Sequence, residues 1–131
     1  MNSLTVNWAL LTSKAQAVMQ RAYSPYSHFP VGAAALVDDG RIVAGCNVEN
    51  ASYGLTLCAE CGLISELITT GGGRLIAFAC VDSQGAYLAP CGRCRQLLFE
   101  HGGGELQVMT SDGVSTLGAL LPWAFGPRDL A

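Results

Sequence analysis

Charge is scarce in this sequence. Acidic and basic side chains make up 13% of its 131 residues, against about 25% in an average soluble domain. So few charges cover a monomer's surface poorly and point to surface buried between subunits. The seven cationic residues, Lys14, Arg21, Arg41, Arg74, Arg93, Arg95 and Arg128, are scattered, and the formal net charge is −3. With neither a basic run nor a row of stacking aromatics, a nucleic acid is not the expected partner. Long apolar runs are missing as well. Val31 to Val37 and Leu75 to Val81 are too short to span a bilayer, and Met1 to Trp8 lacks the basic-then-apolar order of a secretory signal. A soluble cytoplasmic protein without membrane contacts is the expectation. No repeat, linker or low-complexity tract divides the chain. Residues 1–131 therefore read as one domain, large enough to bury roughly 68–70% of its unfolded surface without disulfide staples.

Against that plain background stand six cysteines. In a reducing compartment they favour metal or catalytic work over disulfides, the more so because Cys58-x-x-Cys61 and Cys91-x-x-Cys94 repeat one spacing. Cys46 and Cys80 fall in apolar, strand-like stretches and read as small buried hydrophobes. His28 and His101 are isolated and read as ordinary loop and helix-end residues.

Hydrophobic periodicity places these residues on elements. Trp8, Leu11, Ala15, Val18, Met19 and Ala22 recur at helical spacing over Val6 to Ala22, and Pro25 stops any continuation. Val31 to Val37 and Arg41 to Val48 read as strands joined by the Asp38-Asp39-Gly40 turn, with Asn47 and Glu49 on one face at the end of the second. A helix follows from about Leu57 to Thr70, capped near Thr56 and turning Leu63, Ile64, Leu67 and Ile68 inward. Leu75 to Val81 reads as a buried strand, Cys91 to His101 as a third helix opened by Pro90, and Leu106 to Thr110 as a last clear strand. After the turn Ser111-Asp112-Gly113 comes a short apolar segment, Leu117 to Phe125, cut by Pro122. The two triple-glycine runs follow helices and read as terminators. Helices interleaved with strands predict an α/β fold: a three-layer α/β/α sandwich around a mixed sheet of about five strands.

The cysteine spacing carries chemistry. Thiolates from Cys58, Cys91 and Cys94 could hold a zinc ion while Glu60, two residues past the first, faces the open fourth position and moves protons. Cys58 and Cys91 both open predicted helices, where free N–H groups favour thiolate over thiol. Three thiolates outweigh Zn²⁺ by one charge, and the helix starts with Arg93 or Arg95 are the available compensation. Spacing alone leaves two rivals open: a closed structural site of four cysteines including Cys61, and a redox pair at Cys91 and Cys94. Structural knuckles usually sit in tight turns, whereas Cys61 leads into an apolar helix, and a closed site gives Glu60 no task. The redox reading leaves Cys58 and Glu60 unexplained.

Cys-x-Glu followed by Pro-Cys-x-x-Cys is the all-cysteine form of a signature known for zinc deaminases. Further blocks match in order: Tyr26-Ser27-His28-Phe29-Pro30-Val31-Gly32-Ala33-Ala34, Gly45-Cys46-Asn47-Val48-Glu49-Asn50-Ala51, Cys58-Ala59-Glu60, Pro90-Cys91-Gly92-Arg93-Cys94-Arg95-Gln96 and Leu120-Leu121-Pro122-Trp123-Ala124-Phe125. Over nearly its whole length the chain resembles the small, homotetrameric, zinc-dependent cytidine deaminases. The resemblance implies one Zn²⁺ per chain on Cys58, Cys91 and Cys94, with Glu60 as acid and base in hydrolysis of cytidine and deoxycytidine to the uridines and ammonia. It implies that Asn47 and Glu49 hold the ribose, Phe29 packs on the pyrimidine and the Ala59 backbone contacts the base. It also implies that Ala51, Tyr53 and Phe125 act at subunit contacts, Phe125 reaching a neighbouring chain's site. Blasticidin-type deaminases share the zinc and glutamate pieces and remain the nearest enzymatic alternative. Cys61 departs from the family pattern, standing where many relatives carry an arginine beside the zinc thiolates.

Overall fold

A computed structural model describes residues 5–131; residues 1–4 of the N-terminal stretch read above lie outside them. Helix α1 spans Trp8–Met19 and starts at Asn7, whose side chain accepts the Leu10 N–H. Strands β1 (Val31–Val37) and β2 (Ile42–Cys46) form the expected hairpin. Helix α2 (Ala59–Thr69), strand β3 (Leu75–Asp82), helix α3 (Gly92–Gly102) and strand β4 (Gln107–Thr110) follow in the predicted order. Strand β5 (Gly113–Thr116) and the short helix α4 (Leu117–Leu120) complete the body.

The sheet has the order β2-β1-β3-β4-β5, with β3 and β4 parallel and every other neighbouring pair antiparallel. It is the mixed five-stranded sheet expected of the α/β fold. Alternation along β1 assigns the two faces. Ala34 packs with Ala77, Ala79 and Val81 under Leu11 and Ala15 of α1, while Ala33, Ala35 and Val37 pack with Phe78 under α2, α3 and α4. The result is three layers with two apolar interfaces. Small residues on β1 and β2 let the helices lie close, as at Gly32, where an added methyl would meet the Ala15 carbonyl oxygen at 2.0 Å. Among the described residues no helix is long and apolar enough to cross a membrane.

Several boundaries differ from the sequence reading, and α1 is shorter at both ends, Trp8–Met19 against Val6 to Ala22. Strand β2 stops at Cys46 rather than Val48, because Asn47 turns its side chain to the main chain of β1. Beyond it Val48 pairs with Leu57 in an isolated bridge, which keeps Leu57 extended and delays α2 until Cys58, not Thr56, serves as its cap. A further difference is β5, in a stretch where the sequence predicts only turn and loop. It is a short, mostly exposed edge strand, and the turn Ser111-Asp112-Gly113 before Val114 and Thr116 was its only signal.

Candidate active site

Cys58 and Cys91 occupy equivalent places, each the extended N-cap residue of a helix, with ψ of 160° in α2 and 167° in α3. Cys94 lies one turn into α3 and is buried. Parallel pairing of β3 with β4 routes the chain through α3 and brings its start against the start of α2. The Sγ atoms of Cys58, Cys91 and Cys94 lie within 4.8 Å of one another, and those of Cys58 and Cys91 are 4.0 Å apart. Tetrahedral Zn–S bonds of about 2.3 Å separate their sulfurs by roughly 3.8 Å, so the donor set fits zinc in both chemistry and spacing.

Cys61 does not join them. It stands outside the group of sulfurs within reach of a common ion, and its Sγ instead accepts from Arg93 Nη2 at 3.8 Å. The closed four-cysteine site therefore lacks its fourth ligand. All six cysteines are free thiols. Of the two cations near the thiolates, Arg95 is engaged with backbone carbonyls, whereas Arg93 brings its guanidinium to the helix turn next to Cys58.

Glu60, 4% exposed, lies in the first turn of α2. Burial pushes its carboxyl above the ordinary glutamate value, while its own backbone N–H works against the shift. A carboxyl so placed suits a group that both takes and gives a proton. Burial likewise raises the Cys58 thiol, whereas the Cys94 backbone N–H holds that of Cys91 down. Metal uptake at such a site displaces protons.

Cys58, Glu60 and Cys91 open on a cavity of about 220 Å³, lined also by Val31, Asn47, Thr56, Ala59 and Cys80 among others, while Cys94 is buried. Asn47 is set by two long-range bonds: its Oδ1 accepts the Val31 N–H at 2.9 Å and its Nδ2 donates to the Phe29 carbonyl at 3.0 Å. One amide hydrogen and one lone pair are left over. Thr56 also borders a second cavity of about 330 Å³, walled by Tyr26, Ser27, Glu49, Asn50 and Tyr53. There Glu49 Oε1 accepts the Tyr26 and Ser27 N–H groups at 3.0 and 3.1 Å while Oε2 accepts the Ser27 hydroxyl. The Ser27 hydroxyl bond is the main cause holding the Glu49 carboxyl below its ordinary value.

The fold thus unites Cys58, Ala59, Glu60, Cys91 and Asn47 at one cavity and places Glu49 and Tyr53 at the next. Phe29, Ala51 and Phe125 line neither; Phe29 is half exposed at 48%, and Phe125 and Tyr53 are more open at 58% and 77%. Several lining residues carry no site role in the sequence analysis, Cys80 and Thr56 among them. Cys80 is buried as expected yet forms part of the cavity wall beside Glu60, and Thr56, read as a cap, faces both cavities.

Comparison with known proteins points the same way. Residues 7–110 match the model of the "cytidine and deoxycytidylate deaminase zinc-binding region". The cytidine deaminase of Mycobacterium tuberculosis is 61% identical over 125 residues, covering 95% of this chain and 94% of that protein. The cytidine deaminase of Sporosarcina psychrophila is 37% identical over 126 residues, covering 92% and 93%. Among solved structures, the M. tuberculosis cytidine deaminase superposes with a TM-score of 0.91 at 61% identity, covering 93% of this chain and 99% of that one. That of Mycobacterium leprae gives 0.89 at 61% identity, covering 90% and 99%.

Proposed function

Because the chain belongs to the cytidine deaminase family of zinc-binding hydrolases, we propose that it converts cytidine and deoxycytidine to uridine and deoxyuridine with release of ammonia. The observation that carries this reading is the meeting of three cysteine sulfurs within 4.8 Å of one another at a cavity that also holds the buried Glu60. Cys58, Cys91 and Cys94 hold one Zn²⁺ per chain. The ion, when bound, supplies the Lewis acidity that activates water at neutral pH.

In this proposal Glu60 takes a proton from water and delivers it to N3 of the cytosine ring as the water oxygen bonds to C4. It then takes the proton of the new C4 hydroxyl and passes it to the amino group, which leaves as ammonia when the C4–N bond breaks. Its raised proton affinity and its exclusion from solvent support that exchange. The Ala59 backbone, at the open first turn of α2, contacts the base. The spare hydrogen and lone pair of Asn47, with the remaining lone pair on Glu49 Oε2, take the sugar hydroxyls. Phe29, whose N–H and carbonyl are held by Ser27 and Asn47, packs on the pyrimidine.

Assembly belongs to the same proposal. Residues 1–131 act as one catalytic domain in the cytoplasm, where thiols stay reduced. The exposed side chains of Tyr53, Trp123 and Phe125, together with the low charge content, support a homotetramer in which Ala51, Tyr53 and Phe125 complete neighbouring sites. The test is to follow cytidine conversion to uridine with and without a zinc chelator and to measure mass by light scattering. Activity lost to chelator and restored by zinc is expected, at a tetramer mass. A zinc-loaded protein inert toward cytidine refutes the reaction, and a fully active monomer refutes shared sites.

A further inference from the structure

Consecutive side chains at the start of α3 reach across to the C-terminal segment. Arg95, half-buried, folds back over the first turn of its own helix: Nε donates to the Pro90 carbonyl at 2.7 Å, and Nη1 donates to the Leu120 carbonyl at 2.9 Å. Gln96 Nε2 donates to the Phe125 carbonyl at 2.7 Å. The segment from Leu120 to Phe125 is thereby held at both ends by neighbouring residues of the helix that carries Cys94. Between those ends, Trp123 is 98% exposed and left-handed, with φ of 52°.

Both Arg95 contacts fall where the main chain needs a partner. The Pro90 carbonyl belongs to the peptide plane leading into Cys91, the extended cap residue of α3. Fixing that plane fixes the direction in which the Cys91 side chain leaves the backbone. The Leu120 carbonyl closes α4, where the last carbonyls of a helix have no partner within it. A planar guanidinium can donate to two carbonyls at once, which a single ammonium point charge does poorly.

We propose that Arg95 is a positioning residue that makes the Cys91 ligand turn and the Leu120–Phe125 segment one mechanical body, so that zinc retention and placement of the segment are coupled. The proposal rests on the zinc reading above, since it takes Cys91 as a ligand. Outer partners that orient metal ligands typically change metal affinity by about 10–100-fold when removed.

Zinc release from the purified holoprotein into a colorimetric chelator is timed for the parent, Arg95→Met, Arg95→Lys and Gln96→Met. All carry Trp8→Phe, so that Trp123 is the sole tryptophan reporter. Arg95→Met is expected to release zinc about 10–100-fold faster and to lower Trp123 fluorescence anisotropy. Gln96→Met should lower the anisotropy while keeping the parent release rate, because it touches only the Phe125 end. Arg95→Lys should fall between parent and Arg95→Met. Release from Arg95→Met at the parent rate overturns the proposal; so does Gln96→Met releasing zinc as fast as Arg95→Met, which would show general loosening. Should Arg95→Met not fold, Arg95→Lys decides: parent-like release refutes the coupling and faster release supports it. A parent protein without zinc overturns the zinc reading and this proposal with it, whereas a zinc-loaded parent unmoved by Arg95→Met overturns the coupling alone.

Discussion

Two glycines face each other where α2 lies on β2, and the structure assigns them opposite tolerances. A methyl added at Gly45 would stand 2.4 Å from both the Ala59 carbonyl oxygen and the Leu63 nitrogen. It would therefore drive into the α-helical pair that closes the first turn of α2. Those distances are about 1 Å short of ordinary contact, and both atoms are backbone, so neither can rotate away. Gly45→Ala must displace the start of α2, with Cys58 and Glu60, relative to Cys91 and Cys94 at the start of α3. Overpacking of this kind costs about 1–3 kcal/mol of stability, and a misplacement of about 1 Å at reacting groups costs roughly 10²-fold in rate. At Gly62, one helical turn along and exposed, a methyl would meet nothing closer than the Gly45 Cα at 3.7 Å. Gly62→Ala should gain about 0.5–1 kcal/mol from better helix propensity and keep its turnover. Urea unfolding, zinc content and cytidine turnover of the two variants form the assay. A Gly45→Ala protein with parental stability and turnover, or a Gly62→Ala protein equally damaged, would refute the reasoning.

Further outcomes are expected at the site itself. Glu60→Gln should keep its zinc by metal analysis yet lose about 10²–10⁴-fold in turnover, because the amide cannot shuttle protons; near-parental turnover in the zinc-loaded variant removes Glu60 from its role. Cys61→Ser should retain zinc and Cys91→Ser should lose it, since only the latter sulfur belongs to the three-thiol cluster; equal losses would restore the four-cysteine site. For Glu49, whose carboxyl is held below its ordinary value chiefly by Ser27, the stabilisation is present above the ordinary glutamate range and is lost as pH falls through the lowered pKa. Ser27→Ala should therefore move the Glu49 titration upward in carboxyl-carbon NMR, and an unchanged midpoint would contradict the hydrogen bond.

Much of the molecule was legible along the chain because its signals are local. Helical spacing at Leu11, Ala15 and Met19, the Asp38-Asp39-Gly40 turn and the glycines after α2 and α3 each act within a few residues. Local sequence therefore determined where most elements begin and end. The Cys58-x-Glu60 and Cys91-x-x-Cys94 spacings likewise name the chemistry, since each puts its groups at the start of one helix. What only the tertiary structure decided is which distant groups meet. Cys58 to Cys61 and Cys91 to Cys94 have identical spacing, yet Cys61 is turned toward Arg93 and away from the common sulfur cluster. Asn47 leaves its strand for the main chain around Phe29 and Val31, Cys80 becomes a cavity wall, and Arg95 reaches Leu120 on another helix. Each of these depends on where two separately formed elements come to rest against the sheet. Packing sets that placement, to within the width of a methyl group at Gly45, and no local propensity encodes it.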